Sequence, residues 1–415
     1  MNKLQLGRVV DTWSEDGQRW VEFLVGEKRK VFTIDTIEEF RGTLPQKGDL
    51  GQFVGDPLRF ECWGKPSTAW NAAGDSLRWR RTTGQATRMQ RLRQRHQIIK
   101  SIRDDLDAQD FIEVETPLCV KGACPDSYIQ SIETDSGAYL VTSTEYQIKR
   151  LIVGGFEKVF TLTQNFRAND RGRFHSSEFT MLEWARAGEG SGPATLDAIE
   201  EDVIRMIRKA FRLLYPNSEF LTYKNLKINL MGLWERITVR DAFHKYLGLD
   251  DVGDFSFSAL TRAAQSAGIP APTFSSEDRD SLLSYLLDLL QVHLGHERPT
   301  FLREWPAFMT CSAELSPHDP TLATRSELYI AGIEIADGFP FLRDANKQRE
   351  YFSRELQSRI HEGKKSVVLD EKYVEALAEG IPPGAGMALG VDRLVMALTN
   401  AECLTDVQAF SWEEL

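Results

Sequence analysis

Apolar and polar positions alternate with a period of two on either side of a charged turn. Val159, Phe160, Leu162 and Phe166 lead up to Arg167, the run Asn169-Asp-Arg-Gly-Arg173 interrupts, and the strand pattern resumes from Glu178 to Trp184. The spacing predicts an antiparallel hairpin with a long basic tip, whose second strand turns Phe179, Met181, Glu183 and Ala185 to one face. An aromatic ring and a carboxylate then look out together from a rigid floor, an arrangement that holds a site's geometry. Taken alone, the same pattern also describes an ordinary hairpin with a solvated basic turn. A second hairpin is predicted between Glu327 and Asp337, turning at Ala331 and Gly332, and its two-residue turn places Glu327 and Glu334 on one face.

Helical spacing of Met89, Leu92, Ile99, Ile102 and Leu106 predicts an amphipathic helix over 87–108, and similar patterns predict helices over 195–214 and 278–294. Residues 301–306 read as a core strand, and the strand that begins at Phe111 stops at Pro117. Near the start, short alternating segments at 20–25, 30–34 and 50–55 lie between Gly, Asp and Pro, which predicts a small β-barrel. The expected organisation is a barrel and linker over 1–80, followed by a larger α+β domain over 81–415.

Composition changes this picture little. A chain of 415 residues suits one large and one small domain. No apolar run approaches the roughly 18 residues of a membrane span, and the start lacks the apolar segment of a signal peptide, so a cytoplasmic location is expected. Cys62, Cys119, Cys124, Cys311 and Cys403 are scattered, odd in number and without CxxC spacing, which argues against a disulfide framework or a zinc site. Charge is more informative. The net value is −11, yet the first hundred residues carry +6 and the remainder −17. The basic excess includes Arg78, Arg80, Arg81, Arg88, Arg91, Arg93 and Arg95, with Trp79 among them. Such a stretch either tracks a phosphate backbone or is a linker and helix turned to solvent or to another subunit.

The candidate chemistry comes from words of sequence. Close to the end stands Gly384-Ala-Gly-Met-Ala-Leu-Gly-Val-Asp392-Arg393, a glycine-rich strand running into a helix headed by an Asp-Arg pair. Together with the basic hairpin and the strand that stops at Pro117, in this order and spacing, it resembles the three signature motifs of class II aminoacyl-tRNA synthetases. Longer words sharpen the likeness: Thr144-Glu-Tyr-Gln-Ile-Lys-Arg-Leu151, Glu178-Phe-Thr-Met-Leu-Glu-Trp184, Glu277-Asp-Arg-Asp280, Gly332-Ile-Glu-Ile-Ala-Asp-Gly-Phe339 and Ala388-Leu-Gly-Val-Asp-Arg-Leu394. They are similar to lysyl-tRNA synthetases and to their tRNA-independent paralogues, the elongation factor P (R)-β-lysine ligases, over roughly 88–415. The resemblance implies an antiparallel sheet flanked by helices behind an oligonucleotide-binding-like barrel, and a homodimer built on the 87–108 helix and the strand after it. The (R)-β-lysine ligases usually lack such a barrel.

What it implies for the site is specific. Activating a carboxylic acid with ATP requires carboxylate and α-phosphate held in line while charge on phosphorus is neutralised. By the resemblance Arg167 holds both, as a planar guanidinium can. Phe179 stacks on adenine, Arg393 covers the other adenine face and reaches the γ-phosphate, and His175 contacts the phosphates. Glu327 and Glu334 hold Mg²⁺, a task for hard oxygen ligands, while Gly386 and Gly390 make room for the nucleotide. One position departs: the family's glutamate two residues beyond the arginine is Asn169 here, which can still accept a hydrogen bond from the adenine amino group.

Glu145 and Glu183 match the carboxylates that hold the substrate's α-amino group, so an amino acid is the expected substrate. Its side chain is another matter. The family's tyrosine and glutamate that bind the lysine ammonium are replaced by Ala185 and Phe341, two residues beyond Glu183 and Phe339, and Asp337 replaces an asparagine. Without its counter-charge a desolvated ammonium costs several kcal/mol. Ordinary lysine should bind badly, which leaves a shorter or β-placed amine near Asp337 or an uncharged side chain between Ala185 and Phe341. Ala388 stands where the (R)-β-lysine ligases have alanine and lysyl-tRNA synthetases have glycine. The expected acceptor is a protein amine such as the lysine of elongation factor P. The alternatives are tRNA, a small-molecule biosynthetic adenylation, and a non-catalytic sensor of amino acid or RNA.

Overall fold

The computed structural model describes residues 6–15, 18–25, 28–33, 45–54, 59–66, 75–79, 82–188, 193–270, 278–310 and 312–415. Of the positions singled out from the sequence, Ile34, Gly55, Arg80, Arg81, Glu277 and Cys311 lie outside the described residues. The chain divides into two compact units, Met1–Met89 and Gln90–Leu415.

In the first unit, β1 (Leu6–Glu15), β2 (Gln18–Val25), β3 (Lys28–Thr33), β4 (Leu50–Val54) and β5 (Arg59–Gly64) form an antiparallel sheet in the order β3-β2-β1-β4-β5. Period-two alternation buries Val9, Val21, Phe23 and Phe60 as a small core. This is the OB-like unit, and it has strands at 6–15 and 59–64 that the alternation alone did not reveal.

The second unit is built on a sheet of eight strands. In chain order the elements that position the site are α1 (Arg88–Asp107), β6 (Ile112–Glu113), α2 (Glu145–Val153), β7 (Lys158–Phe166), β8 (Glu178–Ala187), α3 (Pro193–Leu214), β9 (Glu235–Thr238), α4 (Arg279–Gln291), β10 (Thr300–Pro306), β11 (Leu322–Ile330), β12 (Ile333–Pro340), α5 (Ala345–His361), α6 (Glu371–Glu379), β13 (Gly384–Gly390) and α7 (Val391–Leu398), with shorter elements between them. The strand order is β9-β10-β11-β12-β13-β8-β7-β6. Six central strands are antiparallel, and the edge strands β6 and β9 pair parallel to their neighbours. No helix among the described residues is long and apolar enough to cross a membrane.

One face of the sheet carries the main core. Leu196, Ile199, Val203, Met206, Ile207, Ala210 and Phe211 recur at helical spacing along α3 and meet Leu182, Trp184 and Leu389 from the strands. Helix α7 is buried nearly all round. The other face is left for the site, closed at one side by α2, α5 and α6 around Tyr146, Phe352 and Tyr373.

Helix α1 departs from its expected orientation. Its core residues are Ile98, Ile102 and Leu106, each at 0 % exposure, while Ile99, Met89 and Leu92 are half-buried. The face is rotated because arginines point inward: Arg91 is fully buried, and Arg95 reaches Asp392 and donates to Thr180 Oγ1 at 2.8 Å. Part of the basic stretch is therefore internal structure and not a solvated stripe.

Candidate functional site

Strands β7 and β8 pair without a register break from Lys158↔Arg186 to Phe166↔Glu178. The uninterrupted period of two carries Phe179, Met181, Glu183 and Ala185 to the same side, where all four line a cavity of about 300 Å³. Strand β13 lies between β8 and β12, which sets up rows across the floor. Glu183, Ala388 and Asp337 are neighbours in one row, and Ala185, Gly386 and Phe339 in the next.

A bulge completes the floor. Tyr329 pairs with Glu334 but Leu328 with Ala336, so Ile335 is the extra residue. Glu334 and Asp337, an odd number of residues apart, would otherwise face opposite ways. With the bulge, both share the cavity side with Phe339.

At one end of the cavity, the Arg167 guanidinium carbon lies 5.1 Å from the Phe179 ring centroid, and its buried Nε has no hydrogen-bond partner among the described residues. Arg393 donates from Nε to the Phe174 carbonyl at 3.1 Å and from Nη1 to Glu334 Oε2 at 3.1 Å. Its Nη2 lies 2.9 Å from His175 Nε2. Since guanidinium can only donate, that nitrogen accepts and the His175 ring is neutral. Burial and the Arg393 charge hold the His175 pKa below the ordinary 6.5. For Glu334 burial acts upward, but Arg393, Arg325 and Arg167 together outweigh it and keep the carboxyl below its usual range.

Glu327 and Asn169 sit differently from the other candidates. Glu327 lies opposite Asp337 on the same side of the hairpin as Glu334 but does not line the cavity, with Oε1 accepting from Arg325 at 2.7 Å and Oε2 from the Tyr329 hydroxyl at 2.5 Å. Burial pushes its pKa up to about 8 against the pull of Arg325. Asn169, at φ 59°, turns to Gln130 Oε1 at 3.2 Å, and Asp170 lines the cavity in its place. The glycines also differ. A Cβ on Gly386 would come 3.1 Å from the Trp184 carbonyl, so strand packing there is tight for a side chain. On Gly390 it would meet only the Arg393 side chain, at 3.7 Å.

At the other end, Glu183 accepts from Thr144 N and Ser143 Oγ, each at 2.5 Å, and burial raises its pKa despite those bonds. Glu145 lines the wall and pairs with Lys149 at 2.6 Å. Asp337 is clasped by Arg325, Nε to Oδ1 at 2.9 Å and Nη2 to Oδ2 at 3.1 Å. Ala185 and Phe341 are buried together in the apolar cluster of α2, α5 and α6. Neither Arg325 nor Lys149 was singled out from the sequence. Arg325 sits two residues before Glu327, so strand alternation alone places them side by side. Asp392 is a third addition: it is buried, takes the Arg95 guanidinium, and accepts from Thr180 N at 3.0 Å, tying α7 to β8.

The whole of this second unit is covered by one comparison. The model of the family described as tRNA synthetases class II (D, K and N) matches residues 76–414. The chain belongs to this class II synthetase family. Among curated relatives it is 34 % identical over 332 residues to the elongation factor P--(R)-beta-lysine ligase of Pectobacterium carotovorum subsp. carotovorum (strain PC1), covering 78 % of this chain and 95 % of the relative. It is 33 % identical over 330 residues to the protein of that name from Salmonella paratyphi B, covering 77 % and 94 %. Within this class II synthetase chain the Arg393 and His175 contact gives a pH test. Above pH 6.5 the ring is neutral and accepts; as pH falls through its depressed pKa, protonation sets two cations against each other. Stability, read by thermal unfolding, should fall as pH drops from 6.5 through that depressed value, because the unfolded chain binds the proton first, and His175→Asn should flatten that limb.

Proposed function

We propose that this protein is an ATP-dependent ligase that activates an amino acid as its adenylate and passes the acyl group to a protein amine, with a lysine of elongation factor P as first acceptor. The observation that carries the reading is Arg167, a half-buried side chain whose buried Nε has no partner among the described residues, beside an aromatic face in a cavity ringed by Arg393, His175 and Glu334. A buried orphan donor of this kind calls for an anion.

In the proposed reaction Arg167 bridges the substrate carboxylate and the α-phosphate. A carboxylate oxygen attacks phosphorus, the bond to the bridging oxygen breaks, and pyrophosphate leaves. The acceptor amine then attacks the acyl carbon, displaces AMP and loses a proton. Phe179 and Arg393 sandwich adenine. Class II synthetase-like ligases use ATP and Mg²⁺ in general; here Glu334, with one carboxylate oxygen unengaged among the described residues, fits that ion. Glu327 would join only by exchanging its Tyr329 or Arg325 bond. The ion would supply charge neutralisation on the phosphates. A two-fold homodimer through α1 and β6 belongs to the same reading, with Ile112 exposed on that strand.

The acceptor follows the named activity of the relatives, which match 78 % of this chain over 95 % of their own length. The OB-like unit favours tRNA as the second reading. Acyl transfer to elongation factor P that survives ribonuclease supports the first, and transfer abolished by ribonuclease supports the second.

Ordinary lysine is not the proposed substrate. Asp337 is already neutralised by Arg325, and Ala185 and Phe341 offer no counter-charge. Phe341→Glu combined with Ala185→Tyr is expected to shift preference toward lysine by at least about tenfold in pyrophosphate exchange. If lysine is already the best substrate of the unaltered protein, the pocket reading is wrong.

A further inference from the structure

Asn169, which turns away from the cavity, meets a specific partner. The ladder of β7 and β8 ends at Phe166↔Glu178, so Arg167 is the first residue beyond it. Its backbone N–H still bonds across the hairpin, to the Ser177 carbonyl at 2.9 Å. The chain immediately after it bonds elsewhere: Ala168 donates its N–H to the Gln130 carbonyl at 2.7 Å, and Asn169 Nδ2 donates to Gln130 Oε1 at 3.2 Å. One residue, Gln130, thus receives two consecutive bonds from the turn that carries Arg167.

The backbone explains the residue type at 169. Its φ of 59° lies in the left-handed region, which asparagine adopts more readily than glutamate. A glutamate there would be strained, and its ionised carboxylate would bring an acceptor, not a donor, to Gln130 Oε1.

Gln130 belongs to an anchored segment. Asp126 and Ile129, just before it, line the cavity. Helix α5 holds this stretch: Arg359, only 3 % exposed, donates from Nη1 to the Asp126 and Ile129 carbonyls, each at 2.8 Å, and Glu355 Oε2 accepts from Ser127 N at 3.3 Å. Lys364 Nζ donates to the Ser127 carbonyl at 2.7 Å. The segment 126–130 therefore joins a helix that closes the cavity to the turn that bears Arg167.

We propose that Gln130 is the positioning residue of Arg167, and that Asn169 serves this bond and not the recognition of adenine. The inference rests on the proposed adenylate chemistry and deepens it. The Arg167 Nε has no partner among the described residues, and stacking near Phe179 constrains the plane of the guanidinium more than its place within that plane. Its aim then depends on the backbone beneath it, which Gln130 fixes through Ala168 and Asn169. Misplacing a catalytic group by about 1 Å can cost about a hundredfold in rate.

The test is pyrophosphate exchange by the full chain with whichever of (R)-β-lysine, ornithine and the standard amino acids gives the strongest signal, read as kcat and as KM for ATP. Gln130→Met removes only the side-chain acceptor, and Asn169→Gly keeps the left-handed turn. Each should lower kcat about fivefold or more and leave KM for ATP within about twofold. The double variant should be no worse than either single one, since both delete the same bond. Gln130→Glu, which keeps an acceptor oxygen, should retain most of the rate. Amide hydrogen exchange over 168–173 should quicken in both single variants. Unchanged kcat, a rise in KM for ATP that matches the loss in kcat, or losses that multiply in the double variant overturn the inference and leave the ligase reading standing. No exchange from the unaltered protein with any member of the panel overturns the ligase reading. Amide exchange then decides the positioning role: it is kept if both single variants quicken the 168–173 amides and overturned otherwise.

Discussion

Arg167→Ala is expected to lower amino-acid-dependent pyrophosphate exchange by about a thousandfold or more while leaving the thermal midpoint nearly unchanged. The guanidinium is stacked near Phe179 and, among the described residues, its Nε has no acceptor, so truncation breaks no bond at that nitrogen and touches the fold chiefly through its charge near Glu334. The loss should fall on the transition state, where charge builds on phosphorus. Arg167→Lys should recover little, because a point charge cannot span a carboxylate and a phosphate oxygen as a planar fork does. Arg393→Ala should also abolish exchange, with a different signature. Its bonds to the Phe174 carbonyl, Glu334 and His175 would be lost, so the hairpin tip loosens and ATP affinity falls together with the rate. An Arg167→Ala protein with full exchange activity would refute the assignment.

The second large effect concerns Arg325, whose side chain is buried between Asp337 and Glu327 and also senses Glu334. Arg325→Met should destabilise the second unit by about 3–5 kcal/mol, since it strands carboxylates that burial already disfavours as charges. For a unit of this size that corresponds to a fall of roughly 10 °C in the unfolding midpoint. Adding Asp337→Asn should restore part of it. The pH dependence has a definite sign. Glu327 titrates near 8 when folded against about 4.5 ordinarily, so the folded state holds the extra proton between these values and stability falls as pH rises through them. Without Arg325 that decline should steepen. Thermal unfolding between pH 5 and 8 reads all three effects, and an Arg325→Met protein as stable as its parent would contradict them.

How far the sequence could be read is clearest at particular residues. The hairpin of β7 and β8 was legible because strict alternation fixes which side chains share a face, and its register has no break. The turn at Ala331 and Gly332 was legible for the same reason, and both residues have positive φ, 55° and 74°. The bulge at Ile335 was not, since nothing in local composition distinguishes an extra residue from a regular one. Helix α1 was placed within a residue at each end, but its core face was not, because hydrophobic spacing has no way to weigh buried arginines such as Arg91. At the site, the resemblance pointed to Arg167, Phe179, His175 and Arg393, and the fold gathers all four around one cavity. Arg325 lay within reach of strand alternation, two residues before Glu327, but its pairing with Asp337 needs the hairpin register, and the surroundings of Lys149 need the whole fold. Lys149 lies beneath Phe339, Phe341 and Tyr373, which only the fold brings to α2.

The extra residue in β12 works like a clutch between the two ends of the cavity. On its N-terminal side stands Glu334, facing Arg393; on its C-terminal side stand Asp337 and Phe339, facing the amino-acid end. Loss of that single residue would leave the first group engaged and turn the second through half a rotation toward the core. The two ends are thus phased by one backbone irregularity, so lineages can remodel Asp337, Phe339 and Phe341 by substitution but not by changing the length of the strand. That constraint makes the length of β12, more than its composition, the feature on which the two ends depend together.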